Sequence, residues 1–215
     1  MNNINSGESF WGSPTSKANF CETDCAVSRY NAEFVNSLTN VVYSKLRRKA
    51  SKHGNSLRTL PYTGLILVGL CSFGFHVSLK YHTQMMDDLS MHFPTTPVPH
   101  RVLTANSHRR DSVFKAIVLG SMLLLLVTFH MITDELILHY VDFNLGYWLW
   151  LVDHWACGYL TRAREAIGLP WAFVLELHGW WHICTGIGAY IFIAVVDRLV
   201  SGEYLSDIYY IYLLR

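Results

Sequence analysis

Three stretches of this chain, 59–79, 116–133 and 177–196, contain no Asp, Glu, Lys or Arg. Each is close to the roughly 20 apolar residues that a helix needs to cross a bilayer core. Segments such as GLILVGLCSFGF and IVLGSMLLLLVTF are apolar around their whole circumference, whereas a surface helix of a soluble domain shows a polar face. A chain of 215 residues has too little mass to bury three such helices away from water. The pattern therefore predicts an all-α fold, a polytopic transmembrane helix bundle. Composition agrees, with 51% hydrophobic and 15% charged residues against about 25% charged in an ordinary soluble domain. The 17 basic and 16 acidic residues leave a formal charge of +1. That excludes nucleic-acid binding through a basic surface, and also a disordered chain.

Three further segments are weaker candidates to cross. Residues 33–44 are few and carry Asn36, Ser37, Thr39 and Asn40; 89–105 contains Pro94, Pro97 and Pro99; 144–157 is rich in Trp and Leu but holds Asp153. Proline is tolerated in a membrane helix where neighbours satisfy the freed carbonyls. Trp148, Trp150, Trp155, Trp171, Trp180 and Trp181 suit the interfacial belts. Two basic clusters set orientation: Lys45, Arg47, Arg48, Lys49, Lys52 and Arg58, then Arg101, Arg109, Arg110 and Lys115. With both cytosolic, 59–79 leaves the cytosol, 89–105 returns to it, and the N-terminal segment is lumenal. That segment has no apolar core of the signal-peptide kind, so it is expected to be retained. The domain reading is a lumenal segment over 1–32, a transmembrane bundle over 33–198 and a tail over 199–215.

The chemistry concentrates in a few places. His178 and His182 in LHGWWHICTG are spaced i, i+4, which puts both imidazoles on one helix face. Such a pair also fits histidines that hydrogen-bond between helices. His76 in CSFGFHVSLKY lies near the far end of 59–79, with Ser72 one turn before it and Asp87 eleven residues after. An ionisable group inside a span is a functional candidate by default. Three neutral imidazoles leave a fourth position on zinc for water, whose pKa the metal lowers. A carboxylate can take the proton and a hydroxyl can donate to a developing oxyanion. In the N-terminal segment, Asn19, Glu22, Asp24 and Glu33 offer hard oxygen ligands of the calcium type without EF-hand spacing. A solvated acidic loop before a helix start is the commoner explanation of such a cluster. The cysteines at 21, 25, 71, 157 and 184 include no CxxC pair, which argues against a thiolate zinc site. Cys21 and Cys25 fall on the lumenal side, where disulfides form, and spacing alone does not pair them.

Taken together, FWGSPTS, NFCETD, RYNAEFVNSLTN, SFGFHVSLKYHTQMMDDLSM and LHGWWHICTGIGAY resemble the alkaline ceramidase family. The wording around LGYWLWLVDHWACGYL and GLPWAFVLELHGWWH looks most like fungal members. The resemblance implies a seven-helix membrane enzyme that hydrolyses the amide of ceramide to a sphingoid base and a fatty acid. It implies zinc on His76, His178 and His182, Asp87 as the carboxylate serving the water, and Ser72 beside the metal. It also implies calcium at Asn19, the Phe20 carbonyl, Glu22, Asp24 and Glu33, and a disulfide between Cys21 and Cys157. Asn19 stands where many members have Asp, and Phe20 replaces a usual Trp. The implied location is the endoplasmic reticulum or Golgi membrane. Ceramide is the expected partner, with no protein partner.

The ligands also test the topology. His76 is at the exit end of its helix and His178 and His182 are at the entry end of theirs, so an even number of crossings must separate them. Three candidates lie between. Where family members carry another span and loop, Tyr140 here runs almost directly into Asn144. The expectation is an internal deletion of the family's fifth helix, leaving about six spans. Two other readings stay open: an inactive truncated paralogue or splice or gene-model variant, and a non-enzymatic membrane receptor with a structural zinc site.

Overall fold

A computed structural model of the chain describes residues 9–45, 56–133 and 145–202. Among these there is no strand, only an isolated bridge between Ser28 and Asn31. The helices are α1 (Phe34–Thr39), α2 (Val41–Lys45), α3 (Ser56–Ser78), α4 (Tyr81–Ser90), α5 (His92–Thr95), α6 (Pro97–Thr104), α7 (Arg109–Thr133), α8 (Leu145–Trp155), α9 (Cys157–Ile167) and α10 (Leu177–Ser201). The result is an all-α membrane helix bundle. Three helices are long and apolar enough to cross a membrane: Arg58–Ser78, Arg109–Phe129 and Leu177–Ser201. Each overlaps one of the three charge-free stretches of the sequence.

The antiparallel pair α3 and α10 forms the frame. Their 23 and 25 residues give lengths of about 34 and 38 Å. At one end His76 of α3 meets His178 and His182 of α10. At the other, Arg58 grips Asp197 through Nε at 2.9 Å and Nη2 at 3.1 Å. Helix α10 ends on Gly202 with φ +69°, the left-handed residue that closes a helix without a Cβ penalty.

The chain returns from the histidine end through α4, α5 and α6, one helical path broken at Met91 and Thr96. The breaks fall near Pro94 and Pro97, whose missing amide donors interrupt the helical hydrogen bonds, while the backbone at Met91 and Thr96 stays in the helical region. Gly64 of α3 admits this path, because a Cβ there would sit 2.6 Å from the Pro94 nitrogen. Arg101 of α6 reaches Asp197 at 2.5 Å, so the path ends where α3 began. The weak 89–105 segment therefore does traverse the bundle, and its helix starts earlier, at Tyr81.

Helix α7 packs against α6, with Lys115 Nζ donating to the Leu103 carbonyl at 2.7 Å and to Ser107 Oγ at 2.6 Å. None of its most apolar window is buried, and Phe114, Leu124, Leu125 and Ile132 are exposed. Such a surface is stable only against lipid or further protein. Helix α8 lies along α10 and ends at the histidine side, where Cys157 is disulfide-bonded to Cys21 with a Cα–Cα distance of 5.3 Å. Cys25 is free.

Two expectations change in detail. The 33–44 segment forms two short helices that meet at Asn40, and Tyr43 of α2 wedges between Gly69 of α3 and Gly186 of α10. Helix α8 has 11 residues, about 16 Å, roughly half of a bilayer core. The junction at 134–144, where the missing helix is expected, lies outside the described residues.

The N-terminal segment folds over the histidine end as a cap. Leu79, fully buried with φ +49°, ends α3. Its carbonyl accepts the N–H groups of Thr15 and Ser16. Ala32 and Glu33 donate to the carbonyls of Val77 and His76, and Gln84 Oε1 accepts the N–H of Lys17 at 2.8 Å.

Candidate metal centre

Three imidazoles converge under this cap. One ring nitrogen from each of His76, His178 and His182 lies within 4.8 Å of the others, and all three residues are buried. Nε2 of His178 and Nε2 of His182 are 3.1 Å apart. The even-crossing requirement raised by the sequence does not prevent the three histidines from meeting.

The remaining ring nitrogens explain the rotamers. His76 Nδ1 lies 2.5 Å from Glu33 Oε2. A carboxylate can only accept, so Nδ1 carries the proton and Nε2 keeps its lone pair. His182 Nδ1 lies 3.1 Å from the Asn36 carbonyl and 3.2 Å from Thr39 Oγ1, which fixes the same tautomer. Carboxylate and carbonyl partners of this kind orient metal-ligating histidines. His178 differs, because its buried Nδ1 meets no hydrogen-bond partner. Its ring is stacked instead on Phe20, with centroids 3.5 Å apart and planes at 19°, and lies near-parallel to Trp181.

Ser72 is buried one turn before His76 and faces the Asp87 carboxyl from α4. Ser90 Oγ donates to the Asp87 carbonyl at 2.7 Å. The sequence pair Ser72 and Asp87 is thus a physical pair on the α3–α4 interface, adjacent to the first histidine.

Asn19, Phe20, Glu22, Asp24 and Glu33 gather at the start of α1, where the oxygens of Glu22 and Glu33 have other partners. Glu22 Oε1 accepts the Val35 N–H at 2.7 Å and Oε2 accepts the Asn36 N–H at 2.9 Å, the contacts an anion makes at a helix start. Glu33 Oε1 accepts the Phe20 N–H at 3.2 Å. Asn19 Nδ2 stands 3.5 Å from Asp24 Oδ2, and Asp24 Oδ1 is buried without a partner. Burial pushes Glu22 up to about 7, against the two helix N–H groups that favour its charge. Burial, and then the Glu33 charge, push Asp24 up to about 6. Among the described residues, the histidine triad is the only group of His, Cys, Asp or Glu poised to share one ion.

The sequence reading missed the groups behind the triad. Asp153 Oδ2 accepts the Cys21 N–H at 3.2 Å. Arg164 donates through Nη2 to the Cys21 carbonyl at 2.6 Å and through Nη1 to Glu176, the residue that precedes α10. Asp153 was visible as a carboxylate in an apolar segment, the pattern that flags function. Arg164 sits in an ordinary amphipathic stretch that carries no such signal.

Comparison with known proteins decides the family. A model of the ceramidase family matches residues 12–145 and, as a second piece, 140–210. The chain belongs to the ceramidase family. Membership assigns it to the amidohydrolases, in a family that depends on metal in general. Its relatives include alkaline ceramidase YPC1 of Saccharomyces cerevisiae, 29% identical over 246 residues that take in 88% of this chain and 78% of the yeast protein. Alkaline ceramidase 3 of Mus musculus is 25% identical over 227 residues, 86% of this chain and 84% of the mouse protein. Putative alkaline ceramidase dcd3A of Dictyostelium discoideum is 22% identical over 250 residues, 84% and 85% respectively. All three alignments are longer than the 215 residues of this ceramidase. The relatives therefore contain residues that it lacks, and the family match divides at 140–145.

Proposed function

We propose that this chain is a zinc-dependent ceramidase acting within the membrane, which cleaves the amide of ceramide, or of its phyto- or dihydro- forms, to a sphingoid base and a fatty acid. The observation that carries the reading is the convergence of three buried imidazoles, two of them oriented through their far nitrogens by Glu33 and the Asn36 carbonyl. An all-nitrogen set of three fits zinc of the catalytic type, which takes water as its fourth ligand. Bound there, zinc would supply a water acidic enough to act as a nucleophile near neutral pH and would polarise the amide carbonyl.

The chain's own residues do the rest. Asp87 takes the proton of the attacking water and delivers it to the leaving nitrogen. Ser72 faces Asp87 while that carboxyl is charged, and once Asp87 holds the proton the hydroxyl is free to donate to the amide oxygen as negative charge develops there. The apolar helices exclude bulk water and accommodate two acyl tails. Calcium fits the N-terminal cluster, where three carboxylates share a buried region and Asp24 Oδ1 is unpartnered. A cation there would relieve the repulsion and hold the cap over the triad. The Cys21–Cys157 disulfide supports an oxidising lumenal side, hence the endoplasmic reticulum or Golgi membrane with a lumenal N-terminus. A structural metal site in a receptor is disfavoured, because such a site is closed by four protein ligands and needs neither Asp87 nor Ser72.

A second reading has its own support. The family match breaks at 140–145 and the relatives extend beyond this chain, which favours an internal deletion that leaves a metal-binding but inactive variant. Release of sphingoid base from ceramide by the purified chain, with and without zinc, separates the two. In an active chain, His182→Ala and Asp87→Ala each abolish release, while Asp87→Ala retains zinc. Undiminished release in either variant would remove the mechanism. A missing exon in the genomic sequence around Tyr140–Phe143 would establish the deletion.

A further inference from the structure

His178 is the one ligand of the triad with no hydrogen-bonded partner on its far ring nitrogen. A ligand rotamer must nevertheless be fixed for a metal site to be preorganised. What fixes it is reached through a single peptide unit. The Phe20 ring that stacks on His178 at 3.5 Å is bonded in sequence to Cys21, and Cys21 is held on every side. Its N–H donates to Asp153 Oδ2 at 3.2 Å. Its carbonyl accepts from Arg164 Nη2 at 2.6 Å. Its sulfur is bonded to Cys157.

One clamping residue also reaches the start of α10. Arg164 Nη1 donates to Glu176, whose residue position is the N-cap of α10, two before His178. Asp153 and Arg164 are themselves buried. They come from α8 and α9, elements with no metal ligand of their own.

We propose that Asp153 and Arg164 are positioning residues for the metal centre, clamping the Cys21 peptide so that Phe20 and the start of α10 hold His178 in its ligating rotamer. They touch neither the metal nor the substrate. The assignment rests on the zinc reading given above, and it gives the later half of the chain a role in the site beyond supplying ligands. It also states why α8 must end at the histidine side: Asp153 has to arrive beside Cys21.

The test uses the full chain in detergent micelles, with zinc measured by competition against a chromophoric chelator and turnover measured on ceramide. The variants are Asp153→Ala, Arg164→Ala and Phe20→Leu. Phe20→Leu keeps the backbone and both clamps and removes only the stacked ring, so it remains informative should a clamp variant fail to fold. Each folded variant should lose about 10- to 100-fold in zinc affinity, the range seen when groups behind metal ligands are removed. Turnover should fall at limiting zinc, with KM unchanged, and recover in excess zinc. Asp153→Asn, which keeps an acceptor for the Cys21 N–H, should restore most of the affinity.

Folded variants that bind zinc within twofold of the parent chain would overturn the proposal, whatever their thermal stability. The same holds if Phe20→Leu alone folds and binds normally. Failure of the underlying reading looks different: the parent chain then binds no zinc, or His178→Ala leaves its zinc affinity unchanged.

Discussion

Glu33→Gln asks what the most deeply buried carboxylate at the site is for. Three donors converge on Glu33: the Phe20 N–H on Oε1 at 3.2 Å, and on Oε2 both Asn36 Nδ2 at 3.1 Å and His76 Nδ1 at 2.5 Å. Glutamine has one acceptor oxygen where glutamate has two. With that oxygen turned toward His76, the new amide nitrogen faces the Phe20 N–H, donor against donor. A buried unsatisfied contact of this kind costs about 1–3 kcal/mol. For a chain of this size each kcal/mol lowers the melting temperature by about 2–4 °C, so a fall of about 2–12 °C is expected. The metal effect is separate. Loss of the charge that orients His76 and raises its basicity should weaken zinc binding about 10- to 100-fold, or about 1.4–2.7 kcal/mol. Chelator competition on the purified variant reads the second number and a thermal melt reads the first. If Glu33 served only calcium, Glu33→Gln would change the calcium dependence and leave zinc affinity within twofold of the parent. That result would refute the assignment of Glu33 to His76.

Other outcomes follow from the far end of the bundle and from its glycine notches. Asp197 is fully buried and shared by Arg58 and Arg101, with Arg58 about one-quarter exposed. Asp197→Ala should cost about 3 kcal/mol, the low end for breaking a buried pair, and lower the melting temperature by about 6–12 °C. Its zinc affinity should be unchanged, since Arg58 and His76 stand about 27 Å apart along α3; a weakened metal site in that variant would contradict the separation. In Gly69→Ala the new Cβ would lie 2.6 Å from Tyr43 Cβ, an atom that cannot swing aside, so overpacking should cost about 1–3 kcal/mol. Gly188→Ala meets nothing within 4 Å and should be neutral or stabilising by up to about 1 kcal/mol in the same melt.

Much of this arrangement is legible in the residues. The absence of charge over bilayer-length stretches places α3, α7 and α10, because nothing else explains such runs in a short chain. The i, i+4 spacing puts His178 and His182 on one face, an ionisable residue inside a span singles out His76 with Ser72 and Asp87 near it, and the resemblance joins the five into one site. The rest depends on tertiary placement. Glu33 looks like one more acidic residue of the N-terminal cluster, and only the fold brings it against His76, 43 positions away. The 89–105 path reads poorly because its prolines break the period into short pieces, and the matching Gly64 carries no signal until Pro94 lies against it. Arg164 has no marker at all, since a basic residue on a mixed helix is usually solvated. The weak first segment forms α1 and α2, whose buried Asn36, Ser37 and Asn40 lower its hydropathy while they pack between α3 and α10.

The antiparallel registration of α3 and α10 has a consequence for how a lipid is met. His76 is two residues from the end of α3, and His178 and His182 are the second and sixth residues of α10. The converging nitrogens therefore lie within about 3–9 Å of the helix ends, which in the membrane reading proposed above is level with the boundary between acyl chains and headgroups. An amide carried by a two-tailed lipid already rests at that depth. The scissile bond needs to slide sideways from one leaflet into the bundle, without being lifted from the membrane or flipped across it. Each product then acquires its new ionisable end, an amine or a carboxyl group, where water can solvate it at once. In this geometry the leaflet that supplies the substrate is set by which ends of two helices bear the histidines.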